Sequence, residues 1–95
     1  MPFQLTVHNY SITPDIWQMI EERINKLNLR VRVIGADVYI KRDTHHNKGD
    51  VFEVEIAIRV PKKTILAKEK APDLRAAIRA IEDKLEKQIG RYKNT

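Results

Sequence analysis

Apolar and polar residues alternate in several short segments of the chain, and a period of two is typical of half-buried strands. The first such segment is 3–8, where Phe3, Leu5 and Val7 alternate with polar residues. The clearest is 52–60, which has an apolar side chain at every even position. A shorter strand is predicted over 63–70, after a turn at Pro61 and Lys62.

Segment 31–42 is also rich in apolar residues, but their parity changes beside Gly35. Val31 and Val33 are at odd-numbered positions. The apolar residues that follow are at even-numbered positions: Ile34, Ala36, Val38 and Ile40. A bulge or bend at a glycine would produce this change, so we predict one strand over 31–42 with an irregularity at Gly35. The polar segment 43–50 that follows is predicted to be a hairpin loop.

Two segments place apolar residues three or four positions apart, as amphipathic helices do. The first is 14–28, with Thr13 as its N-cap and Pro14 at its first helical position. Its apolar face consists of Ile16, Trp17, Ile20, Ile24 and Leu27. This pattern predicts that Trp17 lies in the core.

The second helix is predicted over 74–93, with Asp73 as its N-cap. Its apolar stripe consists of Leu74, Ile78, Ile81, Leu85, Ile89 and Tyr92. The element order is therefore β-α-β-β-β-α. Because both helices have one apolar face, we predict an α+β two-layer sandwich, with two helices packed on one face of a four-stranded sheet.

Length and composition exclude several classes of protein. The chain has 95 residues, enough for one domain, predicted to span 1–95. It has no cysteine, which excludes disulfides and thiol catalysis. It has no apolar run of the ~20 residues that a membrane span needs, and its N-terminus does not resemble a secretory signal. We therefore expect a cytoplasmic protein without a membrane partner.

The net charge of +5 is confined to the last third of the chain. Residues 1–60 carry eight basic and eight acidic side chains, whereas residues 61–95 carry ten basic and five acidic ones. A local excess of this kind favours a polyanionic partner such as nucleic acid.

The second helix carries most of this excess, and its two flanks differ. At about 100° per residue, Lys84, Lys87 and Arg91 share one flank that contains no acid. The other flank mixes both signs, with Arg75, Arg79, Lys93, Glu82 and Glu86. A row of cations along a rigid helix matches a phosphate backbone, whereas mixed charges partly neutralise each other.

The first helix adds Arg23 and Lys26 beside its apolar face, and Arg30 follows. If the two helices pack side by side, these cations would join the flank of Lys84 in one groove. The helix dipole is an alternative explanation for Lys26 and Arg30, because cations near a helix C-terminus are stabilising.

No catalytic or metal-binding pattern is evident. His45 and His46 are adjacent in a loop with Asp43 and Asp50, a spacing that does not suit a metal site. The chain also lacks a nucleophile–base pair and a glycine-rich phosphate loop. We therefore expect no cofactor, no metal and no enzymatic activity.

The second helix resembles the C-terminal helix of the ribosome hibernation-promoting factors, also called ribosome-associated inhibitors or sigma-54 modulation proteins. The matching segments are DLRAAI at 73–78 and DKLEKQI at 83–89, followed by Arg91, Tyr92 and Lys93. The element order matches that family along the whole chain. Since the chain ends just after this helix, the resemblance is to the short form.

The resemblance implies binding to the small ribosomal subunit, between its head and body near the decoding centre. There such proteins contact 16S ribosomal RNA, block the messenger and transfer RNA sites, and keep idle ribosomes inactive. The implied RNA-binding residues are Arg23, Lys26, Lys84, Lys87, Arg91 and Lys93. Arg75 and Arg79 are further candidates, although the family usually has an aromatic and an acidic residue there.

The resemblance also makes a ribosome-dimerising factor a candidate partner, and we expect a monomer off the ribosome. Two alternatives remain open. One is a general double-stranded RNA-binding module, whose usual order begins with a helix rather than a strand. The other is a small enzyme that acts on a phosphorylated substrate.

Overall fold

The computed structural model describes residues 3–44 and 51–93. Its elements are β1 (Gln4–His8), α1 (Pro14–Arg30), β2 (Gly35–Asp43), β3 (Val51–Val60), β4 (Lys63–Ala71) and α2 (Leu74–Lys93). The predicted order β-α-β-β-β-α is confirmed. The bounds of the second helix agree with the prediction, and its N-cap is also confirmed, since the backbone N–H of Arg75 donates to Asp73 Oδ1 at 3.2 Å.

The four strands form one sheet in the order β1-β2-β3-β4. β1 is parallel to β2, and α1 is the crossover that a parallel pair requires. β2, β3 and β4 are antiparallel neighbours. The β3–β4 hairpin turns at Pro61 and Lys62, where Lys62 adopts a φ of 69°. β4 therefore lies at an edge of the sheet.

The core lies between the sheet and the two helices. Alternate side chains of the strands are buried on one face, and the apolar stripes of α1 and α2 are buried against them in one continuous cluster. Within 3–44 and 51–93, no polar or charged residue is buried. This arrangement confirms the predicted two-layer sandwich.

The predicted strand over 31–42 is too long at its start. β2 begins at Gly35, and the residues before it form a connection rather than a bulged strand. The side chain of Asn28 accepts a hydrogen bond from the backbone N–H of Val33 at 3.1 Å, and Ile34 N–H donates to the Arg59 carbonyl at 2.7 Å. Ile34 is 61% exposed. The parity change therefore marks the point where the connection meets the sheet.

The prediction that Trp17 lies in the core is also wrong. Trp17 is 41% exposed and packs against Phe3, with ring centroids 4.7 Å apart. It follows Ile16 by one position, about 100° around the helix, so its side chain lies at the edge of the buried stripe. The indole therefore covers the edge of the core rather than filling it.

Three further predictions concern the loop after β2, the absence of a metal site and the absence of a membrane span. Asp43 ends β2, and His45, His46 and Asp50 lie outside the described residues. Among the residues described, no three potential ligand side chains are grouped as a metal ion requires. No helix in the described ranges has the length and apolar character to cross a membrane.

The revised start of β2 can be tested with two identical substitutions in the segment 31–42. Ile40 is fully buried in β2, so Ile40→Ala should lower the free energy of unfolding by about 3 kcal/mol. Ile34 is exposed, so Ile34→Ala should change it by less than about 0.5 kcal/mol. Urea unfolding followed by circular dichroism measures both. Equal losses would contradict the assignment of Ile34 to an exposed connection.

Candidate nucleic-acid interface

α2 presents two flanks because its apolar stripe is fixed against the sheet. The stripe packs on β3 and β4, and α1 lies alongside. With about 100° between successive residues, one flank of α2 then faces α1 and the other faces the free edge of β4. The basic residues of α2 are distributed over both flanks, where they have different neighbours.

The flank toward β4 forms a shallow recess with the edge strand, which we call the basic recess. It is lined by Leu66, Ala67, Lys68, Lys84, Lys87, Gln88 and Arg91. The three cations predicted to share a flank of α2 are therefore brought together. Lys68 of the strand borders the recess through its backbone carbonyl, and its side chain extends over the other face of the sheet. No helical pattern connects Lys68 with α2, so the sequence alone does not predict this proximity.

Lys84 is not free, contrary to the predicted acid-free flank. Its Nζ lies 3.0 Å from Glu69 Oε2 and donates a hydrogen bond to the Lys68 carbonyl at 2.9 Å. The acid comes from β4, 15 residues away in sequence, so a helix projection could not reveal it. The hydrogen bond from Lys84 and a second from the Lys70 backbone N–H hold the pKa of Glu69 below its ordinary value.

Lys87 and Arg91 differ from Lys84. Both side chains are exposed, and neither forms an ion pair with another described residue. Gln88 lies between them in sequence and donates through Nε2 to the Leu66 carbonyl at 2.6 Å. The basic recess thus contains two cations that the protein leaves available and one that it uses internally.

The flank of α2 toward α1 is dominated by ion pairs between the helices. Arg23 Nε lies 3.3 Å from Glu82 Oε1, although this buried N–H is not aligned for a hydrogen bond. Arg30 pairs with Glu86 at 3.7 Å. The helical spacing predicts that these acids neutralise cations of α2 itself, whereas they neutralise cations of α1.

A third ion pair joins the N-terminal ends of the helices, between Arg75 and Asp15. The Thr13 hydroxyl and, to a smaller extent, Arg75 lower the pKa of Asp15. This carboxylate also has a favourable position in the first turn of α1. Arg75 is therefore engaged in holding the two helices together.

The prediction of one continuous groove is wrong in its geometry. Arg23 faces Glu82, which lies on the opposite flank of α2 from Lys84 and Arg91. The cations of α1 consequently belong to a separate surface between the helices. On that surface, Lys26, Arg79 and Lys93 form no ion pair with another described residue.

The uncovered face of the sheet is close to electrically balanced. Lys68 lies 3.6 Å from Glu55, and Lys70 lies 3.7 Å from Glu53 on the neighbouring strand. Arg59 pairs with Asp37 across β3 and β2. Unlike the basic recess, this face would present carboxylates as well as cations to a polyanion.

Known proteins share this sequence and fold. The family model described as sigma 54 modulation protein / S30EA ribosomal protein matches residues 3–95. The ribosome hibernation promotion factor of Staphylococcus aureus (strain COL) is 36% identical over 92 residues, which cover 96% of this chain and 47% of that protein. This chain thus spans about half the length of that relative.

Two solved structures have the same fold. A ribosomal subunit interface protein from Coxiella burnetii superimposes with a TM-score of 0.83 at 19% identity, covering 100% of both chains. The N-terminal domain of Thermus thermophilus Protein Y gives a TM-score of 0.79 at 24% identity, covering 97% of this chain and 99% of that one. At these identities the structures establish the fold, and the family match establishes descent. The chain belongs to the sigma 54 modulation protein / S30EA ribosomal protein family.

Proposed function

We propose that this chain binds the small ribosomal subunit through 16S ribosomal RNA and keeps idle ribosomes inactive. It does so as a single ribosome-binding domain in the cytoplasm, near the decoding centre, where it blocks the messenger and transfer RNA sites. Family membership and the hibernation function named for the Staphylococcus relative support this proposal. The structural observation that carries it is the basic recess, where Lys87 and Arg91 have no acidic partner among the described residues.

Unpaired exposed cations suit an RNA partner for a simple physical reason. A phosphate that approaches Lys87 or Arg91 displaces bound counterions and breaks no ion pair of the protein, so the full electrostatic gain is available. A phosphate that approaches Arg23 or Arg75 has to compete with Glu82 or Asp15. The eight predicted RNA-binding residues therefore fall into two groups with different roles.

The first group contacts phosphate directly: Lys26, Arg79, Lys87, Arg91 and Lys93. The second group, Arg23, Arg75 and Lys84, mainly fixes the helices and the edge strand in place, because each member is already paired. Both groups have roles in binding, and neither is proposed to have a catalytic role.

A general double-stranded RNA-binding module is the less favoured alternative. Its usual order begins with a helix, whereas this chain begins with β1. Competition separates the two functions, since a plain RNA duplex in excess should not displace the chain from small subunits if the proposed function is right.

The proposed binding should be strongly salt-dependent. For about six phosphate contacts, the affinity for purified small subunits should fall on the order of a thousandfold between about 50 and 200 mM monovalent salt. Sedimentation through a sucrose gradient at fixed Mg²⁺ measures this dependence. An affinity that stays constant across the range would contradict a phosphate-based interface.

The two groups of cations can be compared with paired double variants. Lys87→Ala with Arg91→Ala should weaken small-subunit binding about sixtyfold at about 0.1 M salt, and should reduce the salt slope by about two units. Arg75→Ala with Arg79→Ala should weaken it less, because Arg75 is already neutralised by Asp15. Binding is again measured by gradient sedimentation.

Circular dichroism melts provide the control for folding in this comparison. The Lys87/Arg91 variant should melt like the wild type, because both residues are exposed and unpaired. If the Arg75/Arg79 variant lost more affinity than the Lys87/Arg91 variant, the main part of the interface would lie between the helices, and the basic recess would not carry the proposed function.

A further inference from the structure

The free edge of β4 is covered by side chains of α2 in an orderly way. Gln88 donates to the Leu66 carbonyl at 2.6 Å, and Lys84 donates to the Lys68 carbonyl at 2.9 Å. Farther along, the Tyr92 hydroxyl donates to the Pro61 carbonyl at 3.0 Å. Carbonyl oxygens that an edge strand would otherwise expose are thus occupied by donors of the same helix.

This arrangement changes the polarity of the edge. In an antiparallel strand, the N–H and C=O of one residue point to the same side. The backbone N–H groups of Leu66 and Lys68 therefore face the free edge together with their covered carbonyls. At these two residues the carbonyls are occupied, so this part of the edge presents N–H donors, and oriented backbone N–H groups favour anions.

The Lys68 side chain extends over the uncovered face of the sheet, whereas its backbone carbonyl borders the basic recess. It is 69% exposed, and its ion pair with Glu55 at 3.6 Å is one that contributes little at such exposure. Its backbone borders the recess that Lys87 and Arg91 line. Because β4 is the edge strand, the ammonium group can leave Glu55 and turn past the edge toward a polyanion in the recess with little loss.

We propose that the RNA-binding surface is shared between α2 and the free edge of β4, with Lys68 as a direct phosphate contact and Glu69 as the residue that neutralises Lys84 and so limits the affinity of the recess. This inference rests on the proposed function and adds the strand to it. Glu69 acts through Lys84: their ion pair at 3.0 Å directs the ammonium group to the Lys68 carbonyl and reduces the positive charge of the recess. A polyanion in the recess would thus meet two available cations on the helix, with a third on the strand within reach at its edge.

Lys70 is a matched control for Lys68. It lies two residues farther along β4 on the same face, with a side chain that is 65% exposed and 3.7 Å from Glu53. Its cross-strand pairing therefore resembles that of Lys68 in distance and exposure. The difference is location, because only Lys68 lines the basic recess as well as the uncovered face of the sheet.

The first experiment compares Lys68→Ala with Lys70→Ala in binding to purified small ribosomal subunits. Lys68→Ala should weaken binding about eightfold at about 0.1 M salt and reduce the salt slope by about one unit. Lys70→Ala should leave both unchanged. Both variants should have the melting temperature of the wild type, since each loses a comparable exposed pair.

The second experiment tests the role assigned to Glu69. Glu69→Gln keeps an acceptor for Lys84 but removes the negative charge, so affinity for the small subunit should rise several-fold and the salt slope should become steeper. A merely structural role would not increase affinity, because the only effect of the substitution would then be on stability.

The outcomes distinguish this inference from the function on which it rests. If the wild type binds small subunits and Lys68→Ala binds equally well, the strand edge is not part of the interface and the inference is overturned, while the proposed function stands. If Lys70→Ala lowers the affinity for small subunits as much as Lys68→Ala does, the RNA contacts the uncovered face of the sheet and the inference is again wrong. If the wild type does not bind, both are overturned.

Discussion

Burial of the apolar stripe of α2 against β3 and β4 is the constraint on which the rest of the surface depends. Six residues of α2 are buried, five of them almost completely. A helix held by such a stripe cannot rotate about its axis without exposing it, at a cost of about 25 cal/mol for each Å² of apolar surface. This orientation directs one flank to α1 and the other to the edge of β4. It therefore determines which basic residues lie close enough to an acidic residue to form an ion pair.

The charged residues on the two flanks of α2 differ in whether they form ion pairs. Toward α1, each carboxylate of Glu82, Glu86 and Asp15 faces an arginine on the other helix. Such exposed or half-exposed pairs contribute little free energy of unfolding, and their consequence is that these arginines already have an acidic partner. Toward β4, Glu69 is the one acid paired with a cation of α2 among the described residues, and it is committed to Lys84.

Much of the fold could be predicted from the sequence because it depends on local periodicity. The bounds of α2 follow from a six-residue stripe and the N-cap Asp73, and β3 follows from strict alternation. Hydrophobicity alone predicts burial of Trp17 and Ile34, whereas their positions beside the stripe and before the sheet leave both exposed. Whether a residue beside a buried stripe or strand is itself buried depends on tertiary packing. The spacing of apolar residues along the chain does not specify that packing.

The candidate site was less predictable, because its decisive contacts join elements distant in sequence. The helix projection brought Lys84, Lys87 and Arg91 together correctly. It could not reveal Glu69 beside Lys84 or Lys68 in the same recess, since both belong to β4. Nor could it place Arg23, whose partner Glu82 is determined by how α1 lies against α2.

The spacing of the cations in the basic recess is itself an argument for a partner. Lys84 and Lys87 are three residues apart, and Lys87 and Arg91 are four, so each pair places like charges on neighbouring turns. Like charges at these spacings destabilise a helix by a few tenths of a kcal/mol each. The helix dipole offsets this for Arg91 in the last turn, but not for Lys87. Asp83, four residues before Lys87, partly offsets this repulsion within the helix. Neither Lys87 nor Arg91 forms an ion pair with a described residue, so both charges remain available to a polyanion.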